Sequence, residues 1–178
     1  NEAVAAANAG IARADLQDRL TYVNAAFLRL WGYERSEEVV GRSPLEFWRE
    51  PARAAAVVEA LLKCGHWTGE LTALRRDGSC FEVHLNASLL HDAHGLAYAM
   101  VATFIDVTAR VQAEAALLAS ERQLRAIFEA EPECVKLVDR EYRLLEINPA
   151  GLMLIESPDV ESVRGCCTLD LIAPRDRA

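Results

Sequence analysis

The sequence predicts an α+β domain: a five-stranded antiparallel sheet with helices packed on one face. Three observations predict it. Two short extended segments open the chain, several short helical segments follow, and the hydrophobic period then changes to two across three longer segments. Residues 10–16, "GIARADL", and 20–23, "LTYV", flank the polar turn "QDR" and read as a hairpin.

Asn24 starts a helix, because its short side chain can accept a hydrogen bond from a backbone N–H one turn in. Phe27, Leu30 and Trp31 share one helical face, and Gly32 can end the helix in the left-handed conformation. Ser36, Glu38 and Val39 form a further short turn that Gly41 stops. A longer helix over 52–65 turns Val57, Val58, Leu61 and Leu62 inward and ends at Gly65. In "HWTGELTALRR", Trp67, Gly69, Leu71 and Ala73 then oppose Thr68, Glu70 and Thr72, and "RDGS" is a turn. Phe81, Val83, Leu85, Ala87 and Leu89 alternate with Glu82, His84, Asn86 and Ser88, as in a half-buried strand. After the turn "HDAHG", Tyr98, Met100, Ala102 and Phe104 form one face and Val101, Thr103 and Ile105 the other. A strand apolar on both faces needs a cover on its outer side.

Residues 108–130, "TARVQAEAALLASERQLRAIFEA", contain no Gly or Pro and favour a helix, a rod of roughly 33 Å at 1.5 Å per residue. A heptad fits Arg110, Ala113, Leu117, Ser120, Leu124 and Ile127, with Leu117, Leu124 and Ile127 as good seam residues. The alternative is an amphipathic helix lying over Val101 and Ile105.

The chain also repeats itself. A shift of 124 positions pairs Asp15 with Asp139, Arg19 with Arg143, Leu20 with Leu144 and Asn24 with Asn148. Ala26, Leu28, Leu30, Glu37, Val39, Gly41 and Leu45 meet their own types at 150, 152, 154, 161, 163, 165 and 169. Average usage would give about two or three such identities over this span. The period is too long for a solenoid, so the pattern is a duplicated domain. The second copy lacks the three long strands, which leaves its apolar faces in need of another surface. The chain starts without Met and stops in mid-pattern at "APRDRA", as an excised piece of a larger protein would.

Composition excludes several classes. Apolar residues make up 52% and charged residues 26%, so core material is plentiful. A net charge of −8 with scattered arginines disfavours a nucleic-acid partner. Cys64, Cys80, Cys134, Cys166 and Cys167 are odd in number and form no Cys-x-x-Cys, which fits a reducing compartment. No run of 18 apolar residues and no signal peptide is present. Nothing points to an enzyme: there is no Gly-rich phosphate loop, nucleophile–base pair or metal triad.

The hairpin ending "YVN", the helix "NAAFLRLWGY", the turn "SEEVVG", "GHWTGELTALRRDGS" and the closing "FIDVTAR", taken in order, resemble PAS sensor domains. The resemblance implies a full PAS domain over 1–108, a linker helix over 109–130 that can form a coiled coil, and the first part of a second PAS domain over 131–178. It implies a cytoplasmic sensing and relay module placed upstream of a histidine kinase, diguanylate cyclase or similar output. A homodimer through the linker helix and the outer face of the sheet is expected, with Leu117, Leu124 and Ile127 in the dimer helix. Asp106, Thr108 and Arg110 match the family's strand-to-linker signature and carry the signal.

Family pockets lie between the sheet's inner face and the helices. The candidates for a small-molecule ligand are Ile11, Val23, Phe27, Leu30, Phe47, Val58, Leu71, Ala73, Val83, Leu85, Met100, Ala102 and Phe104, against the alternative that they simply fill a core. Absence of a cofactor is favoured. The light-oxygen-voltage subfamily carries Gly-Arg-Asn-Cys, where this chain has Gly41-Arg42-Ser43-Pro44, and Phe104 stands where that subfamily places a glutamine. FAD stays the alternative, because Trp67, Gly69 and Gly78 resemble redox-sensing flavin members, although their flavin-binding Asn is Ala73 here. Haem is disfavoured: 52–65 has no His, and Cys64 is a weak substitute. His91 and His94 lie in a turn and do not make a metal site. Cys166 and Cys167 are adjacent thiols without an evident role.

Overall fold

A computed structural model describes residues 8–168; 1–7 and 169–178, with Leu169 of the repeat, lie outside the described residues. The chain divides into two compact units, Asn1–Ala113 and Glu114–Ala178.

In the first unit, strands β1 (Gly10–Asp15) and β2 (Leu20–Val23) form the opening hairpin. Helix α1 (Ala25–Trp31), 3-10 turns at Ser36–Glu38 and Pro44–Phe47, and helix α2 (Pro51–Cys64) follow. Strands β3 (His66–Leu74), β4 (Cys80–His91) and β5 (Ala97–Asp106) then complete an antiparallel sheet of order β2-β1-β5-β4-β3. The expected five-stranded α+β fold is the fold observed. Asn24 does more than cap α1. Its Oδ1 accepts from Phe27 N at 2.8 Å and from Ile11 N at 2.9 Å, and its Nδ2 donates to Ala9 O at 3.0 Å. One amide thus joins the helix start to the edge of β1.

The core is aromatic. Phe27 stacks on Trp31 with ring centroids 4.1 Å apart, and Trp48, Phe81 and Phe104 meet Trp31 edge-on. Phe47 lies edge-on to Phe27, and its carbonyl accepts from Trp31 Nε1 at 3.2 Å. Such a cluster adds geometric preference to a large buried area. Against it the sheet presents small residues, Ala12, Ala14, Ala73 and Ala87, all buried. At Gly10 an added Cβ would fall 3.3 Å from Phe27 Cα, so α1 approaches the strand closely. Gly69 serves the same purpose at β3: a Cβ there would lie 2.6 Å from the ring of Trp67, which folds over the glycine.

Three inward assignments are corrected. Ile11 pairs with Thr103 on the outer face, while Gly10, Ala12 and Ala14 face inward opposite Phe104, Ala102 and Met100. Tyr98 is 53% exposed, because the β4–β5 ladder passes from Leu90↔Ala99 to His91↔Ala97 and leaves it as the extra, bulged residue. Leu62 is also exposed; Ala54 and Leu61, two turns apart, set the buried face of α2.

In the second unit, helix α3 (Thr108–Ala130), which begins in the first unit, leads to strands β6 (Lys136–Val138) and β7 (Leu144–Ile147) and helix α4 (Pro149–Leu154). Hydrogen bonds of the first unit recur here at the same shift of 124. Asn148 Oδ1 accepts from Gly151 N and Val135 N at 2.9 and 3.0 Å. Asp139 Oδ1 accepts from Arg143 N as Asp15 Oδ1 does from Arg19 N, at 2.8 and 2.9 Å. Arg19 Nη1 donates to Gly41 O and Arg143 Nη1 to Gly165 O, both at 3.1 Å. Both glycines hold left-handed backbones, with φ of 88° and 80°. What differs is bulk. Phe27 becomes Gly151, whose missing Cβ leaves room for Ile147 and the Cys134 sulfur, and Gly10 becomes Cys134. Leu137, Leu145, Met153 and Leu154 are exposed.

Two outcomes follow from this packing. Trp31→Ala should lower the stability of the first unit by about 3–5 kcal/mol, whereas Trp67→Ala, half-buried at a strand start, should cost roughly 1 kcal/mol; urea titrations read by circular dichroism compare them. The Arg42 side chain, hydrogen-bonded to Glu46, holds that carboxyl below the usual glutamate range. A depressed folded value adds stability above the unfolded glutamate range, and that stability is lost as pH falls through the folded value. Glu46→Gln should therefore reduce the loss of stability on acidification, measured by urea titration at neutral and acid pH.

Candidate functional site

Two features of the first unit hold the residues singled out in the sequence. One is a cavity of about 80 Å³ between sheet and helices. Among the candidates, Phe27, Phe47, Val58, Leu71, Leu85, Met100, Ala102 and Phe104 line it. Val23, Ala73 and Val83 are buried core residues off its wall, Leu30 packs at the margin of the core, and Ile11 faces away. Trp31, Trp48, Leu20, Leu45 and Leu61 also line it and were not among the candidates. Trp31 already stood on the apolar helix face with Phe27; Trp48 and Leu45 belong to an aperiodic stretch that carries no such signal.

The lining is apolar throughout, and ligand pockets usually span roughly 300–1,000 Å³ with a few placed polar groups. The cavity offers neither the room nor the donors for a flavin ring. Pro44 stands on its wall with no thiol, Phe104 supplies no amide, and Ala73 is fully buried beside Trp48. The residues present do not fit a flavin.

The second feature joins this core to α3. Arg75, at the end of the β3–β4 hairpin, lies 4.0 Å over the ring of Phe81, and its Nε donates to Leu30 O at 2.8 Å. Its Nη2 meets Asp106 Oδ2 at 3.4 Å. Asp106 Oδ1 accepts from Thr108 N at 2.9 Å, bending the chain from β5 into the helix. Thr108 Oγ1 accepts from Glu82 N at 2.9 Å, and Val107 N donates to Glu82 O at 2.9 Å. Arg110, one turn on, is ion-paired with Glu70 of β3. The three sequence candidates thus meet in one place, and each touches β3, β4 or the turn between them. Arg75 was missed, because "RRDGS" reads as a polar turn and nothing in its letters separates Arg75 from Arg76.

Further along α3, Leu117, Leu124 and Ile127 are 62%, 65% and 57% exposed. His91 is the paired last residue of β4 rather than a turn residue, His94 lies in the turn that follows, both are exposed, and no group of three metal-ligating residues occurs among the described residues. All five cysteines are free thiols. No helix among the described residues is long and apolar enough to cross a membrane.

Comparison with known proteins places this geometry. A PAS domain from Colwellia psychrerythraea is 22% identical over 60% of this chain and 92% of its own, with a TM-score of 0.53. A light-oxygen-voltage domain probed by a flavin analogue is 29% identical over 68% of this chain and 93% of its own, with a TM-score of 0.53. A sensory box histidine kinase/response regulator from Burkholderia thailandensis is 26% identical over 70% of this chain and 96% of that structure, with a TM-score of 0.55. No curated protein matches the chain. The family described as PAS domain matches residues 8–109, more than half of the 178 residues; the chain belongs to the PAS family of signal-sensing domains.

Proposed function

We propose that the chain is a cytoplasmic sensing and relay module, in which the state of the first PAS core is passed through α3 to domains downstream. The observation that carries this reading is Arg75. It touches a core ring, the last turn of α1 and the acid that starts α3, so a change in core packing alters the seat of the helix. Thr108 and Arg110 hold the same junction from β4 and β3. The wider reading has four parts. The exposed stripe of Leu117, Leu124 and Ile127 pairs two chains in a homodimer. Residues 131–168, which repeat the hydrogen bonds of the first hairpin and helix, form the opening part of a second PAS repeat. The output is a histidine kinase, as the Burkholderia thailandensis relative favours, or a cyclase. The chain itself has no catalytic role.

A second reading, a cofactor-free scaffold acting in dimerisation and relay, is favoured by the small cavity. It shares the same junction and differs only in whether a small guest enters the core.

Amide hydrogen exchange tests the relay. Arg75→Ala should speed exchange over residues 108–113 about fivefold, as expected for a contact of about 1 kcal/mol, while Arg76→Ala should leave them unchanged. Equal effects of both, or none from Arg75→Ala, would sink the reading. Sedimentation of the full chain should show a dimer, and Leu117→Glu with Leu124→Glu should make it a monomer; a monomeric parent chain counts against the pairing.

A further inference from the structure

The turn that closes onto β7 carries two adjacent thiols on a frame the chain uses twice. In the first unit the frame is Gly41-Arg42-Ser43. Leu20 N donates to Arg42 O at 2.9 Å and Gly41 N to Leu20 O at 2.7 Å. The side chains there lock the turn: Arg42 binds Glu46 through two nitrogens at 2.8 and 3.0 Å and donates to Tyr33 Oη at 3.0 Å, and Ser43 donates to Asp18. In the second unit the same frame is Gly165-Cys166-Cys167. Leu144 N donates to Cys166 O at 2.9 Å and Gly165 N to Leu144 O at 2.8 Å. The lock is gone: Tyr33 is replaced by Ser157, Asp18 by Tyr142, and the Arg–Ser pair by two cysteines. Cys166 is exposed and Cys167 half-buried, both are free, and neither thiol makes a side-chain hydrogen bond among the described residues. Arg143 Nη1 donates to Gly165 O at 3.1 Å, as Arg19 Nη1 does to Gly41 O, so the frame itself is kept.

Two thiols so placed invite either a direct disulfide or a bridge through a third atom. Geometry separates these. Every described peptide is trans, which sets adjacent Cα atoms about 3.8 Å apart, below the roughly 4.4–6.8 Å that unstrained disulfides span. A bridging atom lengthens the closure and relieves that strain. The chain bends at Cys166, and Cys167 is bridged to Arg143, so only one of the two residues has a strand-like partner. We propose that Cys166 and Cys167 form a dithiol site for a soft, thiophilic centre that takes two sulfurs at once, of the trivalent-arsenic type. With an organoarsenic oxide as the reactant, two As–S bonds form, the As=O bond breaks, and the oxygen leaves as water with both thiol protons. Arsenic stays trivalent and no oxidant is needed. This site is independent of the Arg75 junction.

The probe is phenylarsine oxide, added at one equivalent to the full chain with excess glutathione as a competing monothiol, and read by intact mass. Capture by two linked thiols should outlast capture by one by roughly 10²–10⁴-fold. One arsenical should remain on the parent chain and on a chain carrying Cys64→Ser, Cys80→Ser and Cys134→Ser. It should be lost from Cys166→Ser and from Cys167→Ser, with circular dichroism unchanged. Retention by either single variant, loss from the triple variant, or no retention by the parent chain overturns the assignment.

Discussion

The first unit is organised around the indole of Trp31. It is stacked on Phe27, capped edge-on by Trp48, Phe81 and Phe104, and its N–H is satisfied by Phe47 O. Those partners come from α1, the second 3-10 turn and its exit, β4 and β5, so one side chain ties together every layer. Its size dictates the rest of the interior. The strands beneath must be small, hence Ala12, Ala14, Ala73 and Ala87, and α1 must sit close, hence Gly10. A core filled in this way leaves about 80 Å³, and the space a larger ligand would need is occupied by aromatic carbon.

The same cluster reaches the surface through Phe81, whose ring carries Arg75. A guanidinium can stack on an aromatic face and still use its N–H groups at the edge, and Arg75 does both at once. Its bonds to Leu30 O and Asp106 make the start of α3 sensitive to where α1 and β4 sit. Each contact is partly exposed and individually modest. Their convergence places three contacts at one strand-to-helix turn, the start of a 23-residue helix.

Much of this was legible in the sequence. The period-two segments, the turn signals and the N-cap Asn24 reported backbone geometry, and backbone geometry is what local letters encode. The sequence identities at a shift of 124 have the same basis in part: four of them, Asp, Arg, Asn and Gly, are residues whose hydrogen bonds or left-handed backbone recur in both units. Side-chain placement was harder. Ile11 reads inward because it is the largest apolar residue of β1, yet aromatic rings from elsewhere demand alanine on that face. Tyr98 reads inward by parity, and a bulge breaks the parity. Arg75 could not be told from Arg76, because its role depends on Phe81 and Leu30, residues brought to it only by folding.

The central claim is that core packing and the start of α3 are energetically one system joined by Arg75. A double-mutant cycle measures that directly, with Phe81→Leu as the core change, Asp106→Asn as the helix-start change and urea unfolding as the readout. The expected result is a coupling of about 0.5–1 kcal/mol that vanishes when the cycle is repeated on an Arg75→Ala chain. Additivity within about 0.3 kcal/mol, or a coupling that survives without Arg75, would contradict the account.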